Sequence, residues 1–538
     1  MTEPGRERPM VTLTVEGREV RVPEGTSILE AAKAAGVLIP HYCYHPGLPV
    51  AGVCRMCLVE VEKAPKLAPA CATAAANGQV VTVHSEKARD ARQGVLEMLL
   101  INHPLDCPIC DQSGECELQD YTFVEGRKES RYREPKRFNP VEDFGGDVMY
   151  VANRCILCTR CVRFMEDVAH DPVLNVSERG DRAVIGKFEG QDLTHPWAGN
   201  VIELCPVGAL LSKDFLNKAR SWDLDRAASI CPNCSQGCSA TMETRDNVVV
   251  RLRPRPNEAV NKFFLCDEGR LNYRWLNRRD RVEYPHVRRN GTMAAVDWDV
   301  AVDAAVAAIR GHRVFVLASP GLSNETLFLL TRICQRAGAG GGGRFRVPQG
   351  KEAPLAGVPD LALRADRAPN GRGAEAVGFI RADAPLDALA TGDVLLVADE
   401  ELAGVDPATL APALSRAATI VVVGTTLPAW ARGAAVAVLP IANMAEDEGT
   451  FTNLRGRVQR FLQAKQAPGL VRPGWAALSD VLTGLGESAI FFQPSDVFAA
   501  LAAAVPSFNG LSYESIGLRG GQAALAGASP PPLTSARP

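Results

Sequence analysis

The chain has 538 residues, 46% of them hydrophobic, with 59 basic and 62 acidic side chains and a formal net charge of −3. At roughly 150 residues per domain the length predicts three to four domains, and the balanced charge excludes the strong basic excess of a nucleic-acid binder. No stretch approaches 18 uninterrupted apolar residues, and the opening MTEPGRERPM has neither the apolar run of a secretory signal nor the acid-poor character of an organelle transit peptide, so a soluble intracellular protein is expected.

Residues 11–22, VTLTVEGREVRV, alternate apolar and polar around Gly17 and predict two strands joined by a turn. Thr26 or Ser27 caps the amphipathic helix SILEAAKAAG, which Gly36 ends. A cysteine-bearing loop follows, and strand-like residues 58–62 and 79–83 flank Cys71. Residues 87–101, KARDARQGVLEMLLI, predict a helix with Leu96, Leu99 and Leu100 facing inward. From 103 to 225 the chain reads as loop-rich with two further cysteine groups, and 226–280 carries a fourth. Beyond about 290 the short apolar runs VFVLAS (314–319), VLLVAD (394–399) and TIVVVG (419–424) alternate with helical segments such as NETLFLLTRICQRAG (324–338). Buried parallel strands alternating with helices imply a doubly wound α/β domain. AGAGGGG (337–343) reads as a flexible loop; no G-x-G-x-x-G opens a helix after a strand there, so a phosphate cradle is set aside. The end, GASPPPLTSARP, is expected to be disordered.

The sixteen cysteines are spread unevenly: fifteen lie between Cys43 and Cys266, and only Cys334 follows. In a reducing compartment such density points to metal ligation rather than disulfides. The first group, Cys43, Cys54, Cys57 and Cys71, is spaced C-x10-C-x2-C-x13-C. The second is Cys107, Cys110 and Cys116, preceded by His103; the third is Cys155, Cys158 and Cys161 with Cys205-Pro206 further on; the fourth is Cys231, Cys234, Cys238 and Cys266. Four sites of four ligands need sixteen donors, and these groups supply fifteen thiols and one imidazole.

Three close cysteines plus a remote one suit a [4Fe–4S] cubane, and RCILCTRCVR followed by a distant Cys-Pro is close to the bacterial ferredoxin pattern. The first group is similar to the plant-type [2Fe–2S] loop, with a wider first gap. Structural zinc favours two separated C-x2-C pairs or Cys/His pairs, which the triplets of the third and fourth groups fit poorly. On residue chemistry alone a lone histidine such as His103 is more often a surface or capping residue, but its group otherwise has three ligands, and histidine ligation of a cluster has precedent in Rieske centres. Cys334 falls on the apolar face of a predicted helix and reads as a core thiol. Arg55, Arg154, Arg160 and Arg163 flank ligand positions. Positive charge there favours the reduced state, and the same arginines read equally well as solvated surface residues.

HYCYHPGLPVAGVCRMCLVEVE, NHPLDCPICDQSGECELQD, NRCILCTRCVRF, ELCPVGAL, CPNCSQGC and FLCDEGRLNYRW together resemble the family of large iron–sulfur subunits of the proton-pumping NADH:quinone oxidoreductase, respiratory complex I. The resemblance is dense over residues 10–280 and weaker through SPGLSNETLFLLTRICQRAG and DEGTFTNLRGRVQ (447–459), which are similar to its molybdopterin-oxidoreductase-like domain. It implies an α+β N-terminal half, a β-grasp [2Fe–2S] ferredoxin-like domain (10–90) followed by loop-rich [4Fe–4S] domains (91–130, 131–222 and 223–282). A degenerate, doubly wound α/β domain (283–490) and a C-terminal segment (491–538) complete the expected organisation.

Carried onto matching positions, the resemblance implies that Cys43, Cys54, Cys57 and Cys71 hold a [2Fe–2S] cluster, and that His103, Cys107, Cys110 and Cys116 hold a [4Fe–4S] cluster. Cys155, Cys158, Cys161 and Cys205 would hold a second [4Fe–4S] cluster. Cys231, Cys234, Cys238 and Cys266 would hold a third, peripheral one that some relatives lack; with all four ligands present it is expected to be occupied. Relatives that keep it usually run longer, so a trimmed C-terminal domain is expected.

The reading that results is an electron wire. No residue acts as acid, base or nucleophile, and the clusters carry the redox chemistry. Electrons would come from an NADH-oxidising FMN flavoprotein subunit and leave through downstream iron–sulfur and quinone-module subunits. The complex would lie peripherally at the cytoplasmic face of the bacterial inner membrane, with membrane contact only through partners. No molybdopterin is expected. A molybdenum-dependent, NAD-linked formate dehydrogenase would place a Cys, selenocysteine or Ser metal ligand in the α/β domain, a Cys-type ligand commonly followed by His. The only cysteine there is Cys334, followed by Gln335, and no histidine follows His312. An iron-only hydrogenase would need further cysteines after Cys266, and a zinc scaffold would lack sulfide.

Overall fold

A computed structural model describes residues 8–525; the expected disorder of GASPPPLTSARP lies outside the described residues. The described chain divides into two compact units, one running to Asp223 and including Leu355–Pro359, the other comprising Leu224–Pro354 and the residues from Asp360 onward.

The first unit opens with the expected hairpin. Strands β1 (Met10–Val15) and β2 (Arg18–Pro23) pair antiparallel, and Glu16 and Gly17, both at positive φ, make the tight turn between them. Helix α1 (Ile28–Ala34) is capped by the Ser27 hydroxyl, which accepts from the Glu30 N–H. Strands β3 (Leu58–Val61), β4 (Ala68–Pro69) and β5 (Val80–Thr82) complete a five-stranded sheet in the order β2-β1-β5-β3-β4, with β1 and β5 parallel. Leu13, Val15, Val59 and Val81 point from it onto Ile28, Leu29 and Ala32 of α1, the β-grasp arrangement.

Helix α2 (Glu86–Leu100) forms as expected, but its inward face differs. Leu96 is buried, while Leu99 and Leu100 are only half-buried. Two turns earlier the same helix buries Arg92 fully; it donates to Val83 O (2.9 Å) with its Nε 3.2 Å from Glu125. Glu125 ends helix α3 (Glu117–Glu125), so the inward face of α2 carries a buried ion pair as well as Leu96. The remainder of this unit is loop carried on short elements: β6 (Val141–Gly145), β7 (Val148–Val151), α4 (Arg160–Arg163), β8 (Leu174–Ser177), β9 (Val184–Lys187), α5 (Asn200–Leu204) and β10 (Leu210–Ser212). Strands β10, β7 and β6 form one small sheet, β8 and β9 another, and α4 runs into a π-helical turn over Phe164–Val168.

The second unit begins with an antiparallel sheet of β11 (Asp225–Ile230), β12 (Ser239–Arg245) and β13 (Val248–Pro254), followed by α6 (Asp267–Leu271). Then come β14 (His286–Arg289), β15 (Thr292–Ala295), α7 (Trp298–Ile309), β16 (Val314–Ala318), α8 (Asn324–Arg336), β17 (Gly341–Phe345), β18 (Ala353–Pro354), β19 (Ala362–Leu363), α9 (Gly371–Ala376) and β20 (Ile380–Arg381). The chain closes with β21 (Val394–Ala398), α10 (Pro407–Leu414), β22 (Thr419–Gly424), β23 (Ala435–Pro440), β24 (Gly449–Thr452), β25 (Arg457–Phe461), α11 (Gly474–Gly484), α12 (Pro494–Ala504), α13 (Tyr513–Ile516) and β26 (Gly521–Gln522).

Eight of these strands make one sheet in the order β15-β14-β23-β22-β21-β16-β17-β20, parallel from β23 to β20 with an antiparallel hairpin at the other edge. The continuous apolar runs of β16, β21 and β22 follow from burial on both faces. Val316, Leu396 and Val421 enter the cluster built with α7, α8, α11 and α12, while Leu317, Leu395 and Val422 enter a second cluster with Leu410 of α10. Each such side chain contributes roughly 1.5–3 kcal/mol on burial. Of the glycine run expected to be a flexible loop (337–343), residues 337–340 are turn and coil, but the last three belong to a strand: Gly341–Phe345 pairs parallel with β16. A Cβ on Gly343 would meet the Phe379 ring at 2.2 Å, so the missing side chains let the strand pack rather than leave it free. Among the described residues no helix is long and apolar enough to cross a membrane.

Candidate metal centres

All sixteen cysteines are free thiols. The first group is wrapped by the loop between α1 and β3. Gly52 and Arg55 take positive φ on either side of Cys54 and curl the chain around it. Cys43, Cys57 and Cys71 are buried and Cys54 half-buried. The Cys43 N–H donates to Cys54 Sγ at 3.4 Å. Hydrogen bonds from the thiols of Cys54 and Cys71 hold Cys43 far below the ordinary thiol range, while that same contact with Cys43 pushes Cys54 up. Cys57 is lowered in turn by Cys71. These contacts link Cys54 to Cys43, Cys43 to Cys71 and Cys71 to Cys57.

In the second group Cys107 is exposed and Cys110 and Cys116 are buried. Burial raises Cys110 and pushes Cys116 up to about 11, although the N–H groups of Gln119 and Leu118 at the start of α3 lower it in part. Burial, then Lys136 and Arg154, bring His103 down to about 4, so its imidazole is neutral at pH 7, the ligating form. Its Nδ1 is buried without a hydrogen-bond partner. Arg154 ties His103 to the thiols: it pairs with Asp106 at 2.9 Å, and its charge acts on both His103 and Cys110.

The third group is the most enclosed. Leu157 and Thr159 take positive φ, turning the chain between successive cysteines, and α4 begins at Arg160. Burial pushes Cys155 to about 11, Cys158 and Cys205 to about 12, and Cys161 well above the ordinary value. The Leu157 N–H donates to Cys155 Sγ at 3.4 Å, and the N–H groups of Val207, Ala209 and Leu210 are directed at Cys205. The second and third groups interlock. The Glu117 N–H donates to Pro206 O (3.0 Å), and a Cβ on Gly208 would sit 2.2 Å from Cys110 Sγ.

The fourth group lies in the second unit. Cys231, Cys234 and Cys238 occupy the connection between β11 and β12, and Cys266 caps α6, accepting from the Gly269 N–H at 3.3 Å. All four are buried; burial pushes Cys231 to about 12 and Cys238 and Cys266 well above the ordinary range. Gly269 is required by contact, since a Cβ there would lie 2.8 Å from Cys231 Sγ and 3.2 Å from Cys266 Sγ.

The donor set fits iron–sulfur cofactors on three counts. It is thiolate-rich, which suits iron–sulfur clusters. Buried thiols whose ionisation burial opposes need a cation to deprotonate them, which a metal supplies. Main-chain N–H groups already point at the sulfurs, and such hydrogen bonds tune cluster potentials. Among the described residues no three His, Cys, Asp or Glu side chains converge as ligands of one metal ion would.

The flanking arginines divide. Arg55 is exposed, but Arg154 and Arg160 are buried. Arg163 donates to Pro49 O, Cys43 O (2.5 Å), Cys158 O (3.3 Å) and the Thr159 hydroxyl. Arg220, which no sequence signal marked, donates to Cys110 O at 2.7 Å. Cys334 stands apart on α8 in the apolar core, 3.8 Å from Val314 O, and burial pushes it up to about 12.

Five family models match the chain: a 2Fe-2S iron-sulfur cluster binding domain over residues 8–86, an NADH-ubiquinone oxidoreductase-G iron-sulfur binding region over 92–131, an NADH-quinone oxidoreductase subunit 3 ferredoxin-like domain over 145–211, a molybdopterin oxidoreductase Fe4S4 domain over 225–278, and a molybdopterin oxidoreductase domain over 398–483. The NADH-quinone oxidoreductase G subunit of Rickettsia bellii is 40% identical over 332 residues, 61% of this chain and 49% of that one. The mitochondrial NADH-ubiquinone oxidoreductase 78 kDa subunit of Candida albicans is 44% identical over 300 residues, 55% of this chain and 42% of that one. A chain of an NAD+-reducing [NiFe]-hydrogenase is 30% identical, covering 39% of this chain and 90% of that one, with a TM-score of 0.34, below the level at which a shared fold is read. The chain spans about half the length of the curated relatives it matches. With 2Fe-2S and 4Fe-4S modules followed by a molybdopterin-oxidoreductase-like α/β region, the chain is a homologue of the G subunit of NADH-quinone oxidoreductase and of its mitochondrial 78 kDa counterpart.

Proposed function

We propose that this chain is the iron–sulfur electron-transfer subunit of a proton-translocating NADH:quinone oxidoreductase. Its electrons come from an NADH-oxidising flavoprotein subunit and pass toward quinone through downstream iron–sulfur subunits. The observation that carries the reading is the spacing along the sequence of fifteen cysteines and His103 in four groups of four, with the sixteenth thiol, Cys334, seated in an apolar core.

Cys43, Cys54, Cys57 and Cys71 would hold one [2Fe–2S] cluster. His103, Cys107, Cys110 and Cys116 would hold one [4Fe–4S] cluster, and Cys155, Cys158, Cys161 and Cys205 another. Cys231, Cys234, Cys238 and Cys266 would hold the third [4Fe–4S] cluster. The bound clusters supply one-electron carriers. The protein's own part is to hold the thiolates at fixed positions, to exclude water around them and to aim main-chain N–H groups at the sulfurs. No side chain transfers a proton or forms a covalent bond to substrate. The subunit would sit peripherally, at the cytoplasmic face of a bacterial inner membrane, held there by its partners. The molybdenum alternative needs a metal ligand in the α/β region 283–490, whose one cysteine, Cys334, is buried against Val314 in the apolar core.

Anaerobic purification followed by iron and acid-labile sulfide analysis tests the reading: about 14 iron atoms per chain are expected from one two-iron and three four-iron clusters. Zinc without sulfide would overturn it, and molybdenum in the purified chain would replace it with the formate dehydrogenase alternative.

A further inference from the structure

Arg160, the first residue of α4, lies between Cys158 and Cys161 and is only 3% exposed. Its guanidinium reaches three separate loops. Nη2 donates to Tyr44 O at 2.8 Å, beside Cys43 of the first group. Nη1 donates to Leu204 O at 3.2 Å, beside Cys205 of the third. Both nitrogens also meet the carboxylate of Glu117, at 3.1 and 3.2 Å, beside Cys116 of the second. One buried cation thus fastens the neighbours of a cysteine in each of three groups.

Those bonds occupy both Nη nitrogens. The Nε–H is buried and has no acceptor among the protein atoms. Glu117 and the thiols of Cys158 and Cys205, the two thiols both of the third group, are among the groups whose charge acts on this guanidinium. A buried N–H without an acceptor is destabilising, and a buried cation is tolerated when negative charge is near. Arg163, three residues on, differs: its Nε donates to the Thr159 hydroxyl at 3.3 Å and its terminal nitrogens to carbonyls. Of the two, Arg160 is the one with a donor to spare, and it lies in sequence between Cys158 and Cys161.

We propose that Arg160 is a positioning residue that locks the first three cysteine loops together and donates its Nε–H to a sulfur of the cluster held by Cys155, Cys158, Cys161 and Cys205, raising that centre's reduction potential. The inference rests on the cluster assignment under Proposed function. Its physical basis is that a hydrogen bond to cluster sulfur and a fixed positive charge in a low-dielectric site both favour the reduced, more negative form. Arg55, exposed to solvent, is screened and has no such influence.

The test uses the full chain, loaded anaerobically, with iron and sulfide quantified and each centre titrated by low-temperature spin resonance; Cys205→Ser identifies the signal of the third centre. Arg160→Gln is expected to keep its iron and to make reduction of that one centre about tenfold less favourable, a negative shift of ~59 mV for one electron. Arg160→Lys, which keeps the charge but not the Nε donor, should shift the same signal in the same direction by about threefold. Arg55→Gln should shift none. Should Arg160→Gln lose iron, Arg160→Lys decides. Unmoved midpoints in an iron-loaded Arg160 variant, or an equal shift in all centres, would overturn the proposal. A wild-type chain without iron and sulfide fails the cofactor reading itself, which is seen before any variant is compared.

Discussion

Residues 103–223 and the parallel-sheet body of the second unit bury side chains by opposite means. In the body, strands β16, β21 and β22 place Val, Leu and Ile alternately on two helix-covered faces, and apolar area alone accounts for their order. In the cysteine-bearing loops the regular elements are mostly five residues or fewer, and long cations lie inside. Arg154 pairs with Asp106, Arg160 with Glu117, and Arg163 and Arg220 donate to main-chain carbonyls. Buried arginines are destabilising unless negative charge surrounds them. On the proposed cluster assignment the loops are expected to depend on their cofactors in a way the body does not, because ionised thiolates would supply charge that neutral thiols lack.

The sharpest way to break that contrast is to remove the cofactors. In chain stripped of iron under denaturant-free conditions, amides over residues 103–223 are expected to lose hydrogen-exchange protection by about 100-fold or more, while those of β21 and β22 keep theirs. Equal loss in both regions would mean that the body, too, is held by metal. A single methyl probes the same dependence locally. Gly208→Ala puts a carbon 2.2 Å from Cys110 Sγ, and about four iron atoms should be lost with the second cluster, leaving the melting of the body unchanged. His103→Ala is expected to change one [4Fe–4S] spin-resonance signal and no other; unchanged spectra would remove His103 from the ligand set.

Two smaller effects sharpen the other side. Glu325 of α8 is fully buried, accepts from the Thr450 hydroxyl at 2.8 Å and the Tyr513 hydroxyl at 2.9 Å, and burial pushes it from 4.5 up to about 7. Between those values the folded state holds a proton that the unfolded chain has released. The stability it contributes is thus complete below pH 4.5 and is lost as pH rises through 7. Glu325→Gln should flatten the body's stability over that window, by at most ~3 kcal/mol, measured by melts at successive pH values. A slope that persists unchanged would place the titration on Asp447 or Glu400, which burial also raises to about 7. Last, Cys334→Ala should cost the body about 1 kcal/mol and leave every cluster signal intact.

Much was legible before any coordinates. The β1–β2 hairpin, the Ser27 cap and the three parallel strands follow from local patterning, where neighbouring residues alone decide the outcome. The four cysteine groups were legible for the same reason, since ligand spacing is a property of the chain. Two local readings failed. Leu99 and Leu100 fit an inward helical face but are only half-buried, while Arg92 is buried on α2 because Glu125 arrives from another helix to pair with it. The glycines at 341–343 read as a flexible loop, but β16 and the Phe379 ring make them strand.

Donor chemistry and spacing travel with the chain, so the order of amino acids was enough to propose which atoms bind metal and in what sets. Which charges surround those sets was left to the fold. Folding separated solvent-exposed Arg55 from buried Arg160, left one Nε–H of the latter without an acceptor, and set Gly208 against a sulfur 98 residues earlier in the chain. Burial and long-range hydrogen bonding are properties of the assembled loops, and the field at a buried thiol is set by whatever the fold carries next to it.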